Sequence, residues 1–173
     1  MMKHIILSII LSFSLLTLAA CGGGGSDIVL PPPAKTTATL KVSLNGTLGV
    51  DTIAIASFIL TLPANVTPAL TGGAVATTVV TPSGTFAGST LAPLVTYFPA
   101  VGVTPGRLEI LAANSVPAGV STAGEIVTII LQLANGATPV AADFPPGSNV
   151  SVINPSGATI AGMSASVTGV TLQ

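Results

Sequence analysis

The sequence predicts an all-β protein, a single two-sheet antiparallel sandwich, and three observations carry that expectation. Fourteen prolines and nineteen glycines are interleaved with segments rich in Val and Thr, a composition that favours short strands joined by turns over long helices. Beyond residue 30 no stretch combines helical spacing of apolar residues with capping residues at its ends. Instead, apolar and polar residues alternate in about eight short blocks closed by Pro, Gly or Asn-Gly, the punctuation of a sandwich. No repeat of fixed period is present, which argues against a solenoid or a propeller.

The elements follow in order. Ala38, Leu40, Val42 and Leu44 share one phase and Thr39, Lys41 and Ser43 the other, a half-buried strand that Asn45-Gly46 closes. Over residues 52–62, Ile53 and Ile55 point inward first and Phe58, Leu60 and Leu62 afterwards. That change of phase predicts a β-bulge near Ala56-Ser57, before Pro63 ends the strand. Strands are expected at 74–81 and 91–98, each bounded by Pro or Gly. Residues 107–112 and 125–133 are the strongest pair of candidates, joined by a loop holding Pro117, Gly119 and Gly124. Residues 126–131 are apolar in both phases, which marks a central strand. Segments at 150–153 and 164–172 complete the set, the latter with a bulge expected at Gly169.

Apolar residues make up 49% of the chain and charged residues 5%, against about 25% charged in an average soluble protein. Charged disorder is excluded, because there is ample apolar surface to bury. The surface falls to Thr, Ser, Asn, Gly and Ala. Four basic and five acidic residues give a net charge of −1. If residues 1–20 are removed, Lys35, Lys41 and Arg107 are the only cations and they are scattered. Nucleic acid is therefore not an expected partner, since binding it takes clustered Lys and Arg.

Residues 1–4 form a short positive tip, and residues 5–16 are apolar apart from Ser8, Ser12 and Ser14. The run to Ala20 is about sixteen residues, short of the roughly twenty a spanning helix needs. A charged start, a short apolar middle and small residues at the end describe a secretory signal; the alternative is an uncleaved anchor. Leu18-Ala19-Ala20-Cys21 resembles the lipobox of bacterial lipoproteins. The resemblance implies cleavage between Ala20 and Cys21, with lipid on the Cys21 sulfur and then on its new amino group. Small side chains at Ala19 and Ala20 let an extended backbone enter a protease cleft. Each buried methylene contributes about 0.8 kcal/mol, so two or more acyl chains hold where one is marginal. Cys21 has no second cysteine to pair with, and the only histidine, His4, leaves with the signal.

The expected organisation is a signal peptide over 1–20, the lipidated Cys21 with a Gly/Pro-rich tether over 21–36, and the sandwich over 37–173. Gly22-Gly23-Gly24-Gly25-Ser26 reads as a flexible leash and Pro31-Pro32-Pro33 as a stiffer spacer. In lipoproteins of two-membrane bacteria, Asp after the lipidated Cys often signals inner-membrane retention. Gly22 stands there in this chain, which by that resemblance favours the outer membrane of the bacterial envelope.

Chemistry is sparse. Without a histidine the usual general base and the commonest metal ligand are missing, and neither Gly-x-Ser-x-Gly nor a phosphate loop is present. The acids after the signal are Asp27, Asp51, Glu109, Glu125 and Asp143. If 107–112 pairs with 125–133, Glu109 and Glu125 fall on neighbouring strands, and a glycosidase needs two carboxylates about 5–9.5 Å apart. The favoured reading is edge charges that keep an apolar sheet soluble, with Arg107 as a partner. Calcium at Asp51 or Asp143 lacks any Asp-rich spacing, so neither metal nor cofactor is expected, and the protein is not expected to be an enzyme. Tyr97-Phe98 is the one place to offer a sugar an aromatic face, while Phe58, Phe86, Phe98 and Phe144 read as core or loop anchors. Asn45, Asn65 and Asn149 begin Asn-x-Ser/Thr triplets and read as turn asparagines.

The opening strand, then Gly106-Arg107-Leu108-Glu109-Ile110-Leu111, a loop, and Gly124-Glu125-Ile126-Val127-Thr128-Ile129-Ile130-Leu131 resemble the strand order of cohesin-like modules. The resemblance implies a jelly-roll sandwich used for protein or glycan attachment at cell surfaces; no dockerin-contacting residue carries over, because no contact motif matches. The expected function is that of a lipid-anchored envelope lipoprotein that binds or scaffolds a protein or polysaccharide, held to the membrane through Cys21. The alternative is a self-associating subunit of a surface fibre or matrix, because edge strands with few charges do little to prevent pairing.

Overall fold

Alternation becomes burial along the first strand of the computed structural model, which describes residues 33–173. In β1 (Thr37–Asn45) Ala38, Leu40, Val42 and Leu44 are almost completely buried, while Lys41 and Asn45 are exposed. The strands that follow are β2 (Ile55–Thr61), β3 (Val66–Pro68), β4 (Leu70–Thr71), β5 (Ala74–Val75) and β6 (Val80–Pro82). Then come β7 (Leu94–Phe98), β8 (Arg107–Ala113), β9 (Glu125–Leu133), β10 (Ser148–Ile153) and β11 (Ser164–Leu172).

Two antiparallel sheets pack face to face. One runs β11-β1-β9-β3, with β6 also paired to β9; the other runs β10-β2-β8-β7; β4 and β5 form a small ribbon of their own. The inner faces meet in one apolar core with Leu40, Leu60, Phe86, Leu108, Ile129 and Leu131 at its centre, each 2% exposed or less. Phe86 comes from a short 3-10 turn (Gly84–Phe86) and fills the core from outside the strand pattern. The expected sandwich is the observed fold.

β9 is central, as its apolar sequence predicts. It has β1 on one side and β3 and β6 on the other. Ile126 and Val127 are both fully buried because β9 carries an extra residue there: pairing passes from Val42↔Val127 to Ser43↔Glu125. The bulge expected at Gly169 also exists, since β11 inserts Thr168 between Lys41↔Gly169 and Val42↔Val167.

Four expectations are corrected. The bulge near Ala56-Ser57 is absent from the β2–β8 ladder, which runs unbroken from Ile55 to Thr61. The change of phase falls earlier, where Ile53 leaves the sheet to bridge Val120. The single strand at 74–81 is two strands in different sheets, because a turn closed by Val79 N–H on the Ala76 carbonyl interrupts it. The short β3 was not foreseen; its Val66 and Pro68 are buried on the core side.

Finally, 107–112 and 125–133 do not pair with each other: β8 and β9 lie in different sheets. The loop between them makes the crossing. Asn114 donates to the Ala54 carbonyl, Val120 exchanges two hydrogen bonds with Ile53, and Leu44 donates to the Gly124 carbonyl on the far side. A loop anchored first to one sheet and then to the other cannot also act as a hairpin.

Candidate functional site

The two outward faces of the sandwich differ in chemistry. On the β11-β1-β9 side the outward positions are mostly hydroxyl side chains, among them Thr39, Ser43, Thr128, Ser166 and Thr171. Ser43 and Thr168 share a hydrogen bond of 3.0 Å, and Lys41 Nζ lies 3.1 Å from Glu125 Oε2. Among the described residues Ile130 is the one large apolar side chain exposed on this face.

The β10-β2-β8-β7 side is apolar by comparison. Register sets Ser57 beside Leu111 and Leu111 beside Leu94, with Ile59 beside Glu109 and Glu109 beside Thr96 in the next row. Leu94 is 69% exposed, Leu111 38% and Phe98 36%. Beside Leu94 and Leu111 lies a shallow hollow of about 410 Å³, lined by Ser57, Ile59, Leu94, Glu109, Leu111 and Asn149 among others. Asn149 reaches the hollow from a bulge in β10, where pairing jumps from Ser148↔Ile59 to Ser151↔Ser57 and Asn149 has φ +50°.

At the foot of this face the Arg107 guanidinium lies 4.3 Å from the centre of the Phe98 ring, and Arg107 Nε is 3.7 Å from Glu109 Oε1. Both charged groups are about two-fifths exposed, so the pair adds little stability; the cation over the ring holds Phe98 in place.

The residues singled out in the sequence fall in several places. Glu109 and Glu125 belong to opposite outer faces and do not form a carboxylate pair. Neither is on an edge strand either: β8 and β9 are each interior to their sheet, and the partners are Arg107 for Glu109 and Lys41 for Glu125. The Glu125 carboxyl is held below its ordinary value of 4.5, chiefly by the neighbouring Ser83 hydroxyl and then by Lys41 and Thr128, against a cost from partial burial. Ser83 Oγ closes no hydrogen bond of full geometry, so it acts as a nearby dipole.

Asp51 accepts from Asn154 Nδ2 at 2.9 Å, and Asp143 accepts from the Val140 backbone N–H at 2.9 Å. No group of three or more His, Cys, Asp or Glu side chains comes together among the described residues. Phe58, Phe86 and Phe144 are core residues as expected, but Phe98 is on the open face and Tyr97 turns toward the core. Of the three triplet asparagines, Asn45 donates to Ser166 Oγ and Asn65 accepts from Asn135 Nδ2. Ala20, Cys21 and the tether up to Pro32 lie outside the described residues.

Leu94, Ile59 and Leu111 were not foreseen as surface residues. A signal for two of them exists: Leu94-Val95 and Ile110-Leu111 place apolar residues in both phases of a strand, so one of each pair must face outward. The arrangement suits adsorption of a partner through apolar burial, with Glu109, Thr96 and Asn149 as polar contacts at the hollow. No family model, curated protein or solved structure matches the chain.

Proposed function

We propose that the protein is a lipid-anchored cell-envelope lipoprotein whose sandwich binds a protein or glycan partner on the open face of the β10-β2-β8-β7 sheet. The observation that carries the binding role is the contrast between the two outer faces. One is covered with Thr and Ser, so this sequence has the means to make a sheet face polar. The other leaves Leu94 and Leu111 in water around a hollow, with Phe98 exposed farther along the same face, an unfavourable exposure that a docked partner removes. The resemblance of residues 106–111 and 124–131 to cohesin-like modules implies the same kind of role.

The anchoring role rests on Leu18-Ala19-Ala20-Cys21 at the end of the apolar run and on the glycine leash behind it. By resemblance Gly22 favours the outer membrane. Cys21→Ala is expected to move the protein from the membrane fraction to the soluble fraction and to remove the acyl mass from its N-terminus. Retention on membranes without lipid on residue 21 overturns the anchoring.

For binding, a photocrosslinking side chain at Leu94 in native cells is expected to give a discrete adduct that the same probe at Thr39, on the opposite face, does not. Leu94→Lys is expected to weaken binding of a purified partner about tenfold or more, since it puts a charge where the partner would bury Leu94. Equal crosslinking from both faces overturns the assignment of the site. A second reading, self-association into a fibre or matrix, is favoured by β11, an edge strand of nine residues that carries no charge.

A further inference from the structure

We propose that the end of the sandwich where the chain enters is its membrane-facing end, and that the turn between β7 and β8 rests in the lipid surface. The proposal builds on the lipid-anchor reading and adds an orientation to it.

Three connections gather at that end. Residues 62–66 link β2 to β3, residues 99–106 link β7 to β8, and residues 134–140 follow β9. Asn135 Nδ2 donates to Asn65 Oδ1 at 3.0 Å, tying two of them together; Pro63, Asn65, Val103 and Pro105 line a shared cleft between the first two. The chain arrives in the same place: Thr36 donates to the Gln173 carbonyl and accepts from the Leu133 N–H. Residues 22–33 reach at most about 40 Å when fully extended, and a Gly-rich chain of that length averages about 20 Å. A nine-residue strand is about 30 Å long, so a short leash attached at one end favours contact through that end.

The turn itself is built unlike an ordinary exposed turn. Val101 and Thr104 exchange two backbone hydrogen bonds of 3.0 Å, which fixes Gly102-Val103 at a rigid tip. Turn tips usually carry Asn, Asp, Gly or Ser, yet here Val103 is fully exposed and Val101 is 71% exposed. Residues 99–106 and 134–140 contain no ionisable side chain, so nothing in them must be dehydrated at a headgroup boundary. The exposed Lys35 supplies positive charge for anionic headgroups, while Arg107 at the foot of β8 is balanced by Glu109. Asp143, just beyond the 134–140 connection, is tied back to the Val140 N–H. The opposite end also exposes Val50, Leu91 and Val116; Asp51 stands next to Val50, and the chain does not enter there. No helix among the described residues is long and apolar enough to cross a membrane, so the contact is superficial.

The test uses the full-length lipidated protein, carrying Val103→Cys or Val50→Cys labelled with an environment-sensitive fluorophore. Each is reconstituted in vesicles of phosphatidylethanolamine and phosphatidylglycerol at about 3:1, a mildly anionic surface. Intact mass shows first that Cys21 is acylated and that only the introduced thiol carries the dye; a second dye on residue 21 refutes the anchor reading separately. With the anchor in place, the expected result is a blue-shifted probe at position 103, quenched by spin-labelled lipid at least about threefold more than the probe at position 50. Equal quenching at both positions, stronger quenching at position 50, or a blue shift at position 103 only when other envelope proteins are added overturns the proposal. Both positions are fully exposed, so neither label disturbs the core.

Discussion

Glu125 illustrates how much one residue's neighbours decide. Its carboxyl faces the Ser83 hydroxyl, the Lys41 ammonium at 3.1 Å and the Thr128 hydroxyl, and its protonation is pushed below the ordinary 4.5. A carboxyl lowered in the folded state stabilises the fold above its unfolded pKa and loses that contribution as pH falls through the folded value. The wild type is therefore expected to exceed Glu125→Gln by about 1 kcal/mol or less at neutral pH. That difference should shrink to nothing as pH falls below 4.5 and through the lowered value, as urea titrations at several pH values can measure. Next to Ser83 and packed against Glu125, Gly84 has φ +53° and an added Cβ would press on the Glu125 carbonyl oxygen and lie 2.6 Å from its Cβ. Gly84→Ala is expected to cost roughly 2–4 kcal/mol, combining left-handed strain with overpacking. Gly49 has a similar φ of +61° but no atom within 4 Å, so Gly49→Ala should cost only about 1 kcal/mol. Denaturant midpoints of the two variants separate space from strain.

At the scale of strands, the sequence was legible wherever alternation was regular and misleading where one residue broke it. β1, β9 and β11 follow their expected limits closely because each buries one face against the opposite sheet over nine residues. The 74–81 segment misled because its β propensity is continuous, and only a turn at residues 76–79 assigns its halves to different partners. Edges are likewise a property of the sheet. β11 is an edge strand without a charge, and its one interruption is the Thr168 bulge. All the described core residues lie within Ala34–Gln173, which forms one compact unit. On the second reading, a protein spanning those residues associates in sedimentation equilibrium as concentration rises, and Thr171→Lys on exposed β11 weakens that association. A monomer up to millimolar concentration removes the second functional reading.

The whole molecule is held by apolar packing with very little electrostatics. Only two ion pairs occur among the described residues, Lys41–Glu125 and Arg107–Glu109, and both include a substantially exposed partner. Raising NaCl to about 0.5 M screens such pairs and is expected to move the melting temperature by less than about 3 °C. A larger fall measured by differential scanning calorimetry would mean that ion pairs carry more than this geometry allows. Among the described residues the exposed large apolar side chains include Leu94, Leu111 and Phe98 on the open sheet face, Val101 and Val103 in the turn at the chain's entry, and Val50 and Val116 at the opposite end.

Composition and local alternation determined that this chain is an all-β sandwich, which strands are long, and that β9 is central. These are properties each segment carries alone, since the side-chain period of a strand is fixed by its backbone. Which strands became neighbours was decided only in three dimensions, because pairing depends on where loops cross and on bulges that shift register by one residue. The candidate site belongs to that second class. Glu109 and Glu125, sixteen positions apart in the chain, end on opposite faces, while Leu94 and Leu111 meet side by side because β7 and β8 pair in one sheet. A surface is assembled from the outward halves of several strands, and no single stretch of sequence contains it.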